Sequence, residues 1–417
     1  MERLSRREFL GAALAGVGAW VAGCATVGQG AKARVVVVGG GWGGLGAARA
    51  LAESGRAAVT LIEPNERFMS CPLSVHYVAG FTDDPRPYQR SYEVLGRLGI
   101  ERVRARASEI DRAGRAVVAD GRRIPYDFLV LSPGVEYMEE AVQGYAEARG
   151  ELPVGFRAFE QEAVRRQVDL FLQRGGTFVV SVPTPPYRCP PAPYERAMLV
   201  AEQVQRRKVK GKVVLVDANA APLPPPIAAP LQNAMASLYP DVLEYIPSAE
   251  VKSVDIGRRV VSTAMGDVPF TAANLILPMR APAIVRQAGL GERWAAVRLP
   301  SFQSQADERI YVIGDAAGIP LPKAGHAAFG AGQQVGREIA TRIAGASPSG
   351  RSGEVALPSA ICWAAVKHDE AINITVTSSM TPGQPPQVRI QVDPQPSARA
   401  AQGARQWGET IWNQMLG

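Results

Sequence analysis

The stretch ARVVVVGGGWGGLGAARALAESG, residues 33–55, decides the fold of this 417-residue chain. A run of valines leads into a glycine turn and an alanine-rich segment, which predicts a buried strand, a tight turn and a helix. Gly39, Gly41 and Gly44 have the spacing G-x-G-x-x-G. In this pattern the first glycine makes the turn, the second admits a pyrophosphate, and the third lets helix and strand pack closely. The stretch therefore predicts dinucleotide binding.

A second predicted strand, residues 57–62, leads to Glu63, which follows Gly44 by nineteen positions. An acidic side chain at this point binds the ribose hydroxyls of the adenosine half of a dinucleotide. A glycine triplet alone is a weak signal, but here strand, turn, helix, second strand and acid occur in the required order. We therefore expect Glu63 and the three glycines to bind the cofactor.

A further buried strand, YDFLVLSPGVEY at residues 126–137, ends in Ser132, Pro133 and Gly134. This ending is typical of the point where flavoproteins with two dinucleotide domains leave the first domain. Ser132 and Gly134 are therefore expected beside the cofactor, and the chain is expected to pass from here into a second domain.

The segment ERIYVIGDAAGIPLPKAGHAAFGAGQQVG, residues 308–336, predicts another strand, the pair Gly314-Asp315, and a helix. In flavoproteins of this type the aspartate meets the ribityl or pyrophosphate region of FAD, and the following helix directs its positive N-terminus at the flavin. Because this signal and the first glycine turn are far apart in sequence yet suit one cofactor, the sequence predicts a discontinuous FAD domain. On its own, Asp315 could be a helix cap.

An inserted second domain is predicted from two further strands, GGTFVVSVP at residues 175–183 and GKVVLVDAN at residues 211–219. In relatives that use a nicotinamide, the turn after the first strand carries another glycine fingerprint, but here residues 183–193 read PTPPYRCPPAP. Proline offers no N–H to a phosphate and fixes φ. The turn therefore predicts that the pyridine-nucleotide site is absent and that Cys189 stands in its place.

These patterns predict an α/β protein with three domains after a leader. Local expectations are a surface hairpin or loop at residues 100–125, a proline-rich loop at residues 221–230, and a closing helix at residues 405–416 whose apolar stripe packs in the core or at a subunit interface. The expected boundaries are 1–30 for the leader, 31–141 with 276–345 for the FAD domain, 142–275 for the second domain, and 346–417 for the C-terminal domain.

The leader SRREFLGAALAGVGAWVAGC, residues 5–24, resembles a twin-arginine export signal through Arg6 and Arg7. The alternative is a membrane anchor, but the apolar stretch is short and rich in glycine and alanine, which favours cleavage. The sequence VAGC also resembles a lipoprotein cleavage site, so lipidation of Cys24 stays open, and only that would tie the protein to a membrane. The leader predicts a periplasmic protein.

Three cysteines remain after the leader, at positions 71, 189 and 362. None lies in C-x-x-C or C-x-x-C-H, so neither a zinc clip nor a c-type haem attachment is predicted. The histidines do not cluster in sequence, and no metal site is expected. The net charge of +7 comes without a lysine-rich tail or a basic run, which argues against nucleic acid as a partner. An odd cysteine count in an oxidising compartment suggests one pair and one cysteine with another role.

The chain resembles the flavoprotein subunit of flavocytochrome c sulfide dehydrogenase over almost its whole length after the leader. The likeness rests on SCPLS (70–74), YRCPPAPYERA (187–197), VIGDAAGIPLPKAGHAA (312–328) and ICWAA (361–365), of which the second is the most specific. The resemblance implies a glutathione reductase-like fold with a modified second domain and a C-terminal α+β interface domain. It also implies sulfide oxidation at a redox disulfide beside FAD, with electrons passed singly to a c-type cytochrome subunit.

Carried over by position, the resemblance makes Cys189 and Cys362 the redox pair and Cys71 the thioether link to FAD. A structural disulfide, and a small buried hydrophobe at Cys71, are the alternatives. Glu195 corresponds to a glutamate that handles a proton near the disulfide, unless it is only an acid stabilised by the helix dipole. Relatives often place Asn after the serine of SCPLS, where this chain has Val75.

Two further residues are expected near the flavin. Lys323 could place positive charge beside the reduced ring, and Trp363 could stack near it; a surface lysine and a core tryptophan are the alternatives. Since the chain has neither a haem motif nor a nicotinamide turn, a separate haem protein is implied. A sulfide:quinone oxidoreductase is the alternative enzyme. A non-catalytic flavoprotein, or a thiol-exchange partner in sulfur oxidation, is the alternative from another class.

Overall fold

The glycine-rich stretch folds as predicted, with a strand, a turn and a helix at the centre of a seven-stranded sheet. The computed structural model describes residues 32–346 and 353–417, so the predicted leader with Arg6, Arg7 and Cys24 lies outside the described residues. In spatial order the sheet contains β19 (Val297–Arg298), β20 (Gln303–Ser304), β21 (Ile310–Val312), β9 (Phe128–Leu131), β1 (Ala33–Val38), β2 (Ala57–Ile62) and β5 (Ile100–Val103).

The five strands from β21 to β5 run parallel. All four valines of β1 are buried, as expected for a strand covered on both faces. Helices α1 (Trp42–Glu53) and α9 (Gly325–Ile343) follow the carboxyl ends of β1 and β21 and cross closely through glycines. A Cβ atom at Gly332 would lie 2.0 Å from the carbonyl oxygen of Gly43, so only glycine permits this approach.

A second parallel sheet belongs to the inserted segment. Its order is β13 (Leu243–Ile246), β12 (Gly211–Asp217), β11 (Gly176–Val182) and β17 (Ala272–Asn274). The helices of this segment are α5 (Glu160–Arg174), α6 (Ala192–Arg207) and α7 (Pro225–Leu238). The prediction of a loop at residues 221–230 is wrong from residue 225 onwards, where α7 begins. Proline is well tolerated in the first turn of a helix, where its missing N–H is not needed, and a further proline, Pro230, lies inside the helix.

The C-terminal segment forms an antiparallel sheet and a closing helix. The sheet contains β22 (Val355–Ala365), β23 (Ala371–Met380) and β24 (Gln387–Val392). Helix α10 (Ala398–Leu416) starts after Ser397, whose hydroxyl accepts a hydrogen bond from the Ala400 N–H. Ile411 and Met415 are buried in the same cluster as α1, so the predicted apolar stripe packs in the core.

Smaller elements complete the described chain. Residues 100–125 are not all hairpin or loop, because β5 extends the main sheet. The remaining strands form small antiparallel sheets: β3 (Arg67–Met69) with β4 (Gln89–Ser91), β6 (Ala107–Asp111) with β7 (Ala116–Ala119) and β8 (Arg122–Pro125), β10 (Glu136–Tyr137) with β18 (Met279–Arg280), and β14 (Val251–Asp255) with β15 (Val260–Thr263) and β16 (Gly266–Pro269). The short helices are α2 (Val75–Val78), α3 (Val94–Arg97), α4 (Tyr145–Ala148) and α8 (Ala283–Gln287). No helix within the described ranges combines the length and apolar character needed to cross a bilayer.

Candidate functional site

A cleft of about 710 Å³ opens at the carboxyl edge of the seven-stranded sheet. A Cβ atom at Gly41 would meet no atom within 4 Å, which leaves the backbone there open to a ligand. At Gly44 it would lie 1.8 Å from the Gly39 carbonyl oxygen, so this glycine serves helix–strand packing as predicted. The cleft thus fits a dinucleotide. Seven predicted cofactor residues line it: Gly39, Gly41, Glu63, Ser132, Gly134, Gly314 and Asp315.

Glu63 is held at the end of β2 with its carboxylate in this cleft. Its Oε2 accepts a hydrogen bond from the Gly40 N–H at 2.7 Å, and Oε1 accepts one from the Asn65 N–H at 2.7 Å. The carboxylate is therefore fixed beside the glycine turn, where a ribose hydroxyl of a dinucleotide can bind.

Arg188 is a cleft residue that the sequence reasoning missed. Its Nε lies 3.5 Å from Oδ2 of Asp315, and its Nη1 donates to the Phe156 carbonyl oxygen at 3.1 Å. Because Arg188 lines the cleft and precedes Cys189, one turn of chain supplies a cation for the cofactor site and a thiol beside it. The sequence signal that could have identified Arg188 is its position directly before Cys189 in the motif YRCPP.

A smaller cavity, of about 60 Å³, is lined by the residues predicted to act on sulfur. It is lined by four residues predicted for the site: Cys189, Cys362, Glu195 and Trp363. Cys189 follows β11 of the second sheet, whereas Cys362 lies in β22 of the C-terminal sheet. Gly325 lines both this cavity and the cofactor cleft, so the two sites adjoin. The structure holds both cysteines as free thiols.

All three histidines of the chain line the same small cavity: His76, His326 and His368. They come from three separate segments, which is why they do not cluster in sequence. Among the described residues, no group of three or more His, Cys, Asp or Glu side chains is placed to hold a metal ion.

The backbone at Cys189 is in the left-handed region, with φ of 53°. Cys189 lies in the connection between β11 and α6, seven residues past the strand end. Its N–H donates to the Lys323 carbonyl oxygen at 2.8 Å, which ties the thiol-bearing loop to the loop before α9. This conformation is uncommon for a non-glycine residue, and here the hydrogen bond to Lys323 helps to hold it.

Burial raises the pKa of the Cys362 thiol to about 12, with the Glu195 charge adding to the effect. Burial also raises the pKa of Cys189 well above its usual value, and Glu195 and Cys362 act in the same direction. Burial raises the pKa of Glu195 to about 7, although the Ala365 N–H donates to its Oε1 at 2.9 Å and works against the rise. Glu195 can therefore exchange a proton beside the thiols near neutral pH.

Lys323 lies next to the cofactor cleft without lining it. Its Nζ donates to the carbonyl oxygens of Asp315 at 2.6 Å and Ala317 at 3.1 Å, and it sits 3.6 Å from the centre of the Trp294 ring. Burial lowers the pKa of Lys323 to about 8. The side chain is thus buried rather than on the surface, and it braces the turn at Asp315, which lines the cleft.

Cys71 lines neither cavity. Its Sγ donates to the Phe156 carbonyl oxygen at 3.3 Å and accepts from Gln161 Nε2 at 3.4 Å. Phe156, which accepts this hydrogen bond, lines the cofactor cleft, and so does Met69, which precedes Cys71 by two residues. The thiol therefore lies directly behind the cleft wall. Trp363 lines the cysteine cavity only, next to Cys362.

Asp217, at the end of β12, fills the place where a second dinucleotide would bind its ribose. It is fully buried, and its Oδ2 accepts hydrogen bonds from the hydroxyls of Tyr194 at 2.6 Å and Tyr245 at 3.0 Å. Its Oδ1 accepts from the Asn219 N–H at 2.8 Å. Both oxygens of this carboxylate thus accept hydrogen bonds from within the second domain, and two of the donors are tyrosine hydroxyls.

Two family models match the chain. Residues 33–166 match the pyridine nucleotide-disulphide oxidoreductase family, and residues 161–278 match the central part of the flavoprotein chain of flavocytochrome c sulfide dehydrogenase. The first covers the glycine turn and the cofactor cleft. The second covers the inserted domain with Cys189 and Glu195.

Among curated proteins, the chain is 22% identical over 317 residues to a mitochondrial sulfide:quinone oxidoreductase of Dictyostelium discoideum, covering 70% of this chain and 66% of that protein, just under two thirds of its length. It is 24% identical over 360 residues to the type II NADH:quinone oxidoreductase Ndh of Mycobacterium tuberculosis, covering 76% of this chain and 74% of that protein.

Among solved structures, the sulfide:quinone oxidoreductase of Aquifex aeolicus has a TM-score of 0.76 at 19% identity, covering 93% of this chain and 92% of that one. A ferredoxin reductase of Rhodopseudomonas palustris has a TM-score of 0.64 at 16% identity, covering 87% and 92%. These structural matches confirm the predicted two-dinucleotide-domain fold. The two family matches, over residues 33–166 and 161–278, confirm the predicted resemblance to the flavoprotein chain of flavocytochrome c sulfide dehydrogenase.

Proposed function

We propose that the protein is an exported sulfide dehydrogenase flavoprotein that oxidises sulfide at a Cys189–Cys362 redox disulfide and delivers the electrons, through FAD, to a c-type cytochrome. One observation carries the proposal. Both cysteines line a cavity that shares Gly325 with the cofactor cleft, so sulfur chemistry and a bound flavin would be neighbours. The match of residues 161–278 to the central part of sulfide dehydrogenase flavoproteins supports the same substrate.

The chemistry starts with thiol–disulfide exchange. Hydrosulfide attacks one sulfur of the oxidised pair, a new S–S bond forms to that cysteine, and the Cys189–Cys362 bond breaks. The products are a persulfide on one cysteine and a thiolate on the other. Overall, HS⁻ is oxidised to the level of elemental sulfur with release of one proton and two electrons. FAD, when held in the cleft lined by Gly41, Glu63 and Asp315, would supply the acceptor for this electron pair and a means of releasing electrons singly.

The residues of the chain supply position and a proton acceptor. The ion pair between Arg188 and Asp315 lies on the side of the site that faces the cofactor cleft. The Lys323 carbonyl oxygen fixes the Cys189 loop by accepting a hydrogen bond from the Cys189 N–H. Glu195 lines the cavity with both thiols, so its carboxylate takes the proton that leaves the sulfur. This role requires Glu195 to be ionised when hydrosulfide enters.

Glu195 therefore gives the reaction a pH dependence. Because the pKa of Glu195 is about 7, the carboxylate form is lost as the pH falls through that value, and anaerobic flavin reduction by sulfide should slow accordingly. Glu195→Gln should lower the rate at pH 8 by about 100-fold, typical of a lost general base. Stopped-flow bleaching from pH 5.5 to 8.5 measures both.

The ionisation of hydrogen sulfide affects both proteins alike, so the ratio of wild-type to Glu195→Gln rates isolates the side chain. That ratio should rise with pH through about 7. A ratio that stays flat across the range would show that Glu195 is only a structural acid at the start of α6.

The cofactor is proposed to be attached covalently through Cys71. The resemblance of SCPLS to the family motif supports the attachment, as does the position of Cys71 behind the cleft wall at Phe156. A thioether would replace the weak hydrogen bonds that the thiol makes to the Phe156 carbonyl and Gln161. Acid-precipitated protein that keeps its yellow colour is the expected result.

The electron acceptor separates the leading proposal from its alternative. A sulfide:quinone oxidoreductase is the second candidate, because the Dictyostelium and Aquifex relatives carry that name. The buried packing of Ile411, Trp412 and Met415 on α10 supports a soluble acceptor, since this stripe is not free to enter a membrane. We expect sulfide-dependent reduction of a c-type cytochrome to exceed that of decylubiquinone at least about tenfold. Faster quinone reduction would establish the second candidate.

A non-catalytic or thiol-exchange partner is the remaining alternative, and it predicts that sulfide leaves the flavin spectrum unchanged.

Export is proposed from Arg6 and Arg7, with the periplasm as the destination and membrane attachment only through a lipidated Cys24. An exported location is consistent with a disulfide that persists between turnovers.

A further inference from the structure

His326 stands at the junction of the two cavities. It is the second residue of α9, and its ring lines the small cavity together with Cys189 and Cys362. The residue before it, Gly325, lines both that cavity and the cofactor cleft. The side chain of His326 therefore lies beside both cysteines and close to the cleft proposed to hold the flavin.

One hydrogen bond fixes the tautomer of His326. Its Nδ1 lies 3.1 Å from the backbone nitrogen of Ile361, which carries a hydrogen and can only donate. Nδ1 must therefore present a lone pair, and the proton of the neutral ring is on Nε2. Since Ile361 directly precedes Cys362, the same bond sets the ring against the strand that carries one of the thiols.

The surroundings keep the ring uncharged. Protonation at Nδ1 would break the bond from Ile361 and set two N–H groups against each other. The position in the first turn of α9 also disfavours a cation, and burial lowers the pKa of His326. His326 is thus suited to donate a hydrogen bond without giving up a proton. The titratable and charged groups that share the cavity are Glu195, His76, Lys367, His368, Glu370 and Arg405.

Negative sulfur is disfavoured overall in this cavity, although Lys367 and Arg405 also line it and the Arg188 charge works to lower the pKa of Cys189. Burial and the Glu195 charge raise the pKa of both thiols, so a thiolate needs a hydrogen-bond donor to form there. Nε2 of His326 has no hydrogen-bond partner among residues 32–346 and 353–417, so its N–H is free to serve.

We propose that His326 is a hydrogen-bond donor of fixed tautomer, whose Nε2–H stabilises the sulfur anion released when the Cys189–Cys362 bond opens. The inference rests on the proposed function for its substrate, but the donor itself can be tested on the reduced protein alone. It assigns acid–base work to Glu195 and anion stabilisation to His326.

The test compares His326→Phe, which keeps a ring and removes both nitrogens, with His326→Gln, which keeps a donor and an acceptor. Reduced holoprotein is alkylated with iodoacetamide from pH 6 to 10, and mass spectrometry quantifies Cys189 and Cys362 separately. A hydrogen bond to a charged group contributes about 1.5 kcal/mol or more. His326→Phe should therefore lower the alkylation rate at pH 7 about tenfold and move its pH profile up by about one unit. His326→Gln should stay within about threefold of wild type.

The outcomes are distinct. Wild-type alkylation profiles in His326→Phe would overturn the donor role, and so would equal losses in His326→Phe and His326→Gln, which would mark a packing role. Sulfide bleaching is measured on the same samples. If sulfide fails to bleach even the wild-type flavin, the proposed function fails while the alkylation ratio still decides the role of His326. If bleaching is normal and the alkylation profiles coincide, only the inference about His326 is lost.

Discussion

Cys189→Ser is expected to abolish sulfide-driven bleaching of the flavin, with a loss on the order of 10³-fold or more, as for removal of an essential covalent residue. A serine oxygen cannot form the S–S bond that hydrosulfide must attack. Cys362→Ser should give the same loss, because each sulfur is useless without the other. Stopped-flow absorbance of the anaerobic holoprotein measures the rate.

The double variant supplies the sharpest form of this prediction. If the cysteines act as one unit, Cys189→Ser with Cys362→Ser should be no worse than either single change. Dithionite should still bleach all three variants, which shows that the flavin is bound and reducible. A structural disulfide would give the opposite pattern, a loss of about 2–5 kcal/mol in unfolding free energy with bleaching retained.

Gly44→Ala is expected to remove FAD binding altogether. The added Cβ would lie 1.8 Å from the Gly39 carbonyl oxygen, and backbone atoms cannot move aside without opening the junction of β1 and α1. The cost should be about 3 kcal/mol or more, at the upper end for an overpacked site. The flavin-to-protein absorbance ratio and the thermal unfolding midpoint of the purified protein measure the effect.

Gly41→Ala is the matched control. A Cβ atom there meets nothing within 4 Å, and the backbone has φ of −78°, which alanine adopts freely. This variant should unfold at the wild-type temperature without cofactor but bind FAD more weakly, because the new methyl group enters the cleft that Gly41 lines. Normal FAD content in Gly44→Ala would contradict the packing role assigned to this glycine.

Much of the cofactor site could be predicted because its residues sit at fixed places in a repeating unit. The glycine turn, Glu63, Ser132 and the Gly314-Asp315 pair each follow a strand of one parallel sheet, so their carboxyl ends meet at one edge. The same logic identified the proline-rich turn at Cys189 as unsuited to a nicotinamide.

Other parts of the site depend on contacts that no local pattern carries. The tautomer of His326 depends on a hydrogen bond from Ile361. The environment of Asp217 depends on hydrogen bonds from Tyr194 and Tyr245. Only the fold brings these residues together. Lys323 was expected near the flavin, but its direction is set by the carbonyl groups it meets in the Asp315 turn.

The predicted boundaries of two elements, β5 and α7, were wrong for a related reason. Residues 100–103 read as part of a loop region because the strand is short, and only pairing with β2 makes it part of the main sheet. Helix α7 begins among prolines that look like a loop until the first-turn position is known.

The central claim is that Cys189 and Cys362 exchange bonds with sulfide, and peptide mapping under non-reducing conditions tests it most directly. The oxidised holoprotein should yield a linked pair of peptides containing these two cysteines. One equivalent of sulfide, quenched by alkylation before bleaching is complete, should break the link and leave one extra sulfur atom on one of them. Unlinked cysteines in the oxidised protein, or a link that survives while the flavin bleaches, would contradict the account.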